Sequence, residues 1–207
     1  KLFTWTAVMQ LVEQGRLDLG ADINRYLDFG VAGRDGASIT LRHLMTHTAG
    51  FEEHLKDLYT TDPARLVSLE TYIKRWVPPR AYPVGQVPSY SNYGTALAGY
   101  IVQRDSGQSF DDYIEARIFA PLGMRNSTFR QPLPVQFRGQ MATPYLRGSG
   151  AARPYELVNP RPAGSLSATG SDIARFMIAQ LQRGRYGETR ILGEEKRLEW
   201  ADAITRI

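Results

Sequence analysis

Cysteine is absent from the 207 residues. That excludes disulfides, thiolate catalysis, iron–sulfur clusters and cysteine-bound zinc. Lysine is almost absent as well. Of 25 basic residues only Lys1, Lys56, Lys74 and Lys196 are lysine, and the arginines are scattered rather than gathered into a stripe. A nucleic-acid footprint is therefore not expected, despite a net charge of +4. No apolar run approaches the roughly 18 residues that a membrane span needs, so no membrane segment is expected within these residues. The glycines stand singly, so there is no phosphate-cradling loop. No signal peptide is visible. The sequence opens without methionine inside what reads as a helix, and it is read as an excerpt of a longer chain.

What is present is ordinary globular material, 43% hydrophobic and 22% charged, enough for a sizeable core. Apolar residues recur at helical spacing over 2–14, with Gly15 as the stop, and again over 93–106, 110–119 and 172–183. Thr40 and Ser68 are placed to cap two shorter helices, Ser91 or Asn92 opens the helix before 106, and Ser171 opens the helix carrying Ile173, Phe176, Met177 and Leu181. Residues 125–165 show no sustained period, which in a compact domain points to functional loops or to short elements. Strand signals are few, so these residues should be mainly helical with little sheet.

Few groups suggest chemistry. His43 and His47 stand four apart, a spacing that puts two rings on one helix face as metal ligands require. The residues between them, Leu44, Met45 and Thr46, offer neither a base nor a third ligand, and a capping or packing role fits as well; no metal is expected. Asp111-Asp112 falls at a helix start, where acids favour the dipole. Tyr90-Ser91-Asn92 follows a Pro-rich approach and leads into an apolar helix. A phenol and an amide two residues apart can face one cleft, the phenol relaying a proton if a nearby cation lowers its pKa. A surface turn explains the tripeptide equally well.

Its neighbours add weight. Lys1-Leu2-Phe3-Thr4 leads a helix into Gly15-Arg16-Leu17-Asp18-Leu19. Then come Leu44-Met45-Thr46-His47-Thr48-Ala49-Gly50-Phe51, Tyr90-Ser91-Asn92-Tyr93-Gly94, Pro121-Leu122-Gly123-Met124 and Pro162-Ala163-Gly164-Ser165-Leu166-Ser167 before Asp172-Ile173-Ala174-Arg175-Phe176. In this order the stretches resemble the penicillin-recognising serine hydrolases, in the branch that holds class C β-lactamases, esterases and D-alanyl peptidases (the penicillin-binding proteins). The resemblance covers nearly the whole chain.

It implies an α+β fold of the β-lactamase/transpeptidase type, residues 1–207 forming part of one such domain without the sheet-forming ends. It implies acyl transfer by a serine in a Ser-x-x-Lys motif. Lys1 matches that lysine, so the serine is expected three residues upstream; the alternative is a charged terminal residue. The family's third motif, Lys/His-x-Gly, is expected beyond Ile207. By this match Lys1 and Tyr90 are catalytic and Asn92 binds substrate, with the Tyr90 hydroxyl bonded to Lys1 and to the serine. Ser165 and Ser167 have no lysine three residues on and are not expected to be nucleophiles. The substrate would be an ester, a β-lactam or a D-amino-acid peptide, with no cofactor, in an exported bacterial enzyme. The competing expectation is a catalytically inactive member of the same fold, kept as a binding or assembly module.

Overall fold

The computed structural model describes residues 1–205. Its centre is helix α1 (Leu2–Glu13), whose Phe3, Trp5, Ala7, Val8, Met9 and Leu11 are all buried. Apolar side chains that run right round a helix leave it no solvent face, so it sits inside the molecule. Gly15, at φ +70°, turns the chain out of it. The short α2 (Leu41–Met45) starts from a reciprocal cap in which Thr40 and His43 exchange side-chain bonds to backbone. Next come β1 (Tyr59–Thr60) and α3 (Leu69–Arg75), capped by Ser68.

Helix α4 (Asn92–Ser106) is the second central element. Ser91 caps it by accepting from Gly94 N at 3.0 Å, and left-handed Gly107 closes it. Helix α5 (Phe110–Ile114) continues through a turn of π geometry (115–119) into α6 (Ala120–Leu122). The aperiodic stretch does hold short elements: β2 (Ser127–Thr128), α7 (Val135–Arg138), β3 (Leu157–Val158) and α8 (Arg161–Gly164). Then follow β4 (Ser167–Ala168), α9 (Gly170–Leu181), the hairpin β5 (Arg185–Tyr186) and β6 (Thr189–Arg190), and α10 (Glu194–Thr205).

Among the described residues the sheet content is three antiparallel strand pairs, β1–β3, β2–β4 and β5–β6. The expected helical character is found, with two differences around α9. Thr169, not Ser171, caps α9, accepting from Asp172 N. Met177 and Leu181, expected on the buried stripe, are 56% and 76% exposed. Phe176 alone of that group stands in the aromatic cluster, its ring centroid 4.0 Å from that of Phe3.

One contact fixes how α8 sits. A Cβ on Gly99 of α4 would fall 2.4 Å from the Pro162 ring of α8, so only glycine lets the two backbones come this close. Thr4 of α1 donates to Pro162 O at 2.7 Å, and Arg161 pairs with the buried Asp111 at 3.0 Å. Asp111 thus does more than favour a helix dipole. It anchors α8.

Candidate active site

Three elements end at one place: the start of α1, the start of α4 and the end of α8. Lys1 precedes α1, and its Nζ donates to Asn92 Oδ1 at 2.5 Å and to Ala163 O at 2.7 Å. The Tyr90 hydroxyl donates to the same Asn92 Oδ1 at 3.2 Å. Lys1 and Tyr90 therefore meet at a shared acceptor rather than through the direct bond expected between them. Lys1 Nζ stands 5.1 Å from the Tyr90 ring centroid, within cation–π range.

The sequence reading missed the group that orients Asn92. The Glu53 carboxylate accepts from Asn92 N at 2.8 Å and from Asn92 Nδ2 at 2.7 Å. A carboxylate offers only acceptors, so the amide must turn its NH₂ toward Glu53 and its oxygen toward Lys1 and Tyr90. The signal was thin: Glu52-Glu53 directly follow the Thr48-Ala49-Gly50-Phe51 stretch. Nothing in their spacing distinguishes the two acids.

Electrostatics separate the two titratable groups. Burial pushes the Lys1 ammonium down to about 8, against a smaller opposing pull from the Glu53 carboxylate. Burial, and then Glu53, push the Tyr90 phenol above its usual value, the reverse of the lowering by a cation that its relay role was expected to use. The phenol is thus the neutral donor of the pair and the ammonium the group that loses its proton more easily.

Neither His43 nor His47 has a free Nδ1. His43 Nδ1 accepts from Thr40 N at 3.3 Å and His47 Nδ1 accepts from Ser91 N at 3.1 Å. The two serines of the Pro162–Ser167 stretch are also engaged. Ser165 Oγ is buried and donates to Phe129 O at 2.7 Å, while Ser167 Oγ pairs with the Tyr155 hydroxyl at 2.9 Å.

The Beta-lactamase family matches this chain over residues 1–203. The chain belongs to that family. Among curated relatives, this beta-lactamase-family chain is 32% identical over 193 residues to penicillin-binding protein 4 of Amycolatopsis lactamdurans, covering 89% of this chain and 49% of the relative. It is 29% identical over 208 residues to the esterase EstB of Burkholderia gladioli, covering 84% of this chain and 53% of that enzyme. The fold is shared with a D-stereospecific amidohydrolase from Streptomyces, at 25% identity and a TM-score of 0.74 over 96% of this chain and 62% of that one. The chain spans about half the length of the curated relatives it matches.

Proposed function

We propose that this chain is part of a serine hydrolase that forms an acyl-enzyme on an ester, a β-lactam or a D-amino-acid peptide. The observation that carries the reading is a half-buried lysine ammonium held between Asn92 Oδ1 and Ala163 O, beside a phenol on the same Asn92 oxygen. A buried, depressed lysine is the usual form of a general base at neutral pH. The names of the relatives, a penicillin-binding protein and an esterase, agree with acyl transfer.

In this reading the nucleophile is a serine three residues before Lys1, one helical turn away and on the same side of α1. Neutral Lys1 takes the hydroxyl proton as the serine oxygen attacks the carbonyl, and a tetrahedral oxyanion forms. The start of α1 contributes its dipole to that charge. The bond to the leaving group then breaks. Its electron pair is protonated by Tyr90, and the phenolate so formed takes a proton from the neighbouring Lys1 ammonium. Water attacks the acyl-enzyme by the same route in reverse and frees the serine. The split between the two groups assigns their roles: Lys1, lowered, is the base, and Tyr90, raised, is the donor. Asn92 holds both through Oδ1, which leaves the second Nδ2 hydrogen for the acyl group.

No cofactor enters these steps, and the substrate is a small molecule or a peptide. The resemblance to the penicillin-recognising hydrolases also implies an exported enzyme. The test is a panel of a chromogenic short-chain ester, a chromogenic β-lactam and a D-amino-acid anilide on the full-length protein. The reading expects a burst of product equal to the enzyme concentration with at least one of them, lost in Lys1→Met. Absence of any burst, with no acyl adduct by intact mass, would replace it with the inactive binding module.

A further inference from the structure

Among the described residues, His47 is one of four non-glycine residues with a left-handed backbone, at φ 56°. That conformation is uncommon for non-glycine residues, though histidine takes it more readily than most, and the surrounding structure shows what holds it here. The reason lies in the segment opposite. His47 O accepts from Ser89 N at 2.7 Å, and His47 Nδ1 accepts from Ser91 N at 3.1 Å. The two bonds bracket Tyr90. Between them the imidazole lies against the phenol, ring centroids 4.9 Å apart and planes 34° from parallel. A backbone N–H can only donate, so Nδ1 carries no proton and the ring's proton sits on Nε2.

We propose that His47 is the positioning residue of Tyr90: its carbonyl holds Ser89, its neutral imidazole holds Ser91 and lies against the phenol, and on protonation the imidazole lets go. This rests on the reading of Tyr90 as the proton donor of a serine hydrolase. The groups facing the imidazole are Lys1 from the start of α1, Glu53 from the loop after α2, and the Tyr90 phenol from the opposite segment. A proton on Nδ1 would set two donors, Nδ1–H and Ser91 N–H, against each other and place a second cation near Lys1. Burial, then Lys1, hold the imidazole below its usual 6.5, with Glu53 opposing. Release therefore belongs to acid solution, and at neutral pH the grip is closed.

Two substitutions separate the grip from the fold. His47→Gly keeps the left-handed backbone and removes the acceptor and the ring. His47→Asn tolerates the same backbone and restores an acceptor. In the full-length protein, kcat should fall about 100-fold in His47→Gly with KM little changed, as expected when a catalytic group is misplaced by about 1 Å. It should return to within a few-fold of wild type in His47→Asn. The pH profile carries the second readout. Below about 8 the wild-type logarithmic rate falls with a slope of about one as Lys1 is protonated, and further into acid, below the ordinary imidazole range, it should steepen to about two as His47 is protonated as well. His47→Asn should keep the single slope.

Imidazole ¹⁵N shifts at pH 7 should report an unprotonated Nδ1, and Tyr90 signals read as Overhauser contacts between its ring and the Lys1 side chain should be lost in His47→Gly and kept in His47→Asn. A protonated Nδ1, or a His47→Gly protein with wild-type kcat and unchanged Tyr90–Lys1 contacts, would overturn the proposal. Should wild type hydrolyse none of the substrates, the hydrolase reading fails by itself, and the ¹⁵N and Tyr90 signals still decide whether His47 holds the tyrosine. Should His47→Gly not fold, the wild-type Nδ1 state and the slope in His47→Asn decide it.

Discussion

Lys1 illustrates how partial burial changes the chemistry of a common side chain. Its value of about 8 against an ordinary 10.5 has a consequence for stability as well as for rate. The folded protein releases this proton near pH 8, while the unfolded chain holds it until about 10.5. Between those values the unfolded state binds more protons, so stability rises with pH. Thermal melts of full-length wild type and Lys1→Met over pH 7–10 should show this rise in wild type only. The raised tyrosines act in the opposite direction above pH 10. Tyr72, for example, is pushed up to about 12 by burial, but such groups are common to both proteins and cancel in the difference. Glu53 gives a second expectation. Its carboxylate raises the Lys1 value, so Glu53→Gln should move the rising limb of the pH–rate profile to lower pH. It should also reduce kcat, because a glutamine carbonyl cannot replace both acceptors that hold Asn92 in one orientation. A limb that stays in place or moves upward would contradict the role given to Glu53.

Short elements set the site, and α8 shows how. Four residues long, α8 supplies Ala163 O to Lys1 and Pro162 O to Thr4, and it is held by the Arg161–Asp111 pair and by close approach to Gly99. In an exposed helix Gly→Ala would stabilise by about 1 kcal/mol. Here the new methyl meets the Pro162 ring at 2.4 Å, and overpacking of this kind costs about 1–3 kcal/mol. Gly99→Ala should therefore lower the melting temperature and, by moving Ala163 O, also lower kcat. A neutral or stabilised, fully active variant would show that α8 does not position Lys1. The sequence carried α1 and α4 plainly, because apolar side chains at helical spacing and the Ser91 and Gly15 signals are local. Tyr90 and Asn92 were legible for the same reason, lying in one tripeptide. Ala163 O, Glu53 and the partner of His47 Nδ1 were not, because each acts through a backbone group or a contact from far along the chain. The Met177 and Leu181 stripe misled because helical spacing reports an apolar face but not whether anything among these residues covers it.

That face bears on the molecule as a whole. Leu2, Met177 and Leu181 are 52%, 56% and 76% exposed, and the chain spans about half the length of its curated relatives. An apolar helix face left in water favours association. A polypeptide of residues 1–207 alone should bind a hydrophobic dye and melt less cooperatively than the full-length protein. A sharp transition without dye binding would mean that these residues form a self-sufficient unit.

The account stands on Lys1 serving a serine that precedes it. The most direct measurement is intact-mass analysis, with peptide mapping, of the full-length protein and of residues 1–207 alone after exposure to an acylating serine-hydrolase probe and a chromogenic β-lactam. The expected result is a single adduct on full-length protein at a serine three residues before Lys1, strongly slowed in Lys1→Met and absent from residues 1–207. An adduct on any serine within residues 1–207, or labelling indifferent to Lys1→Met, would contradict it.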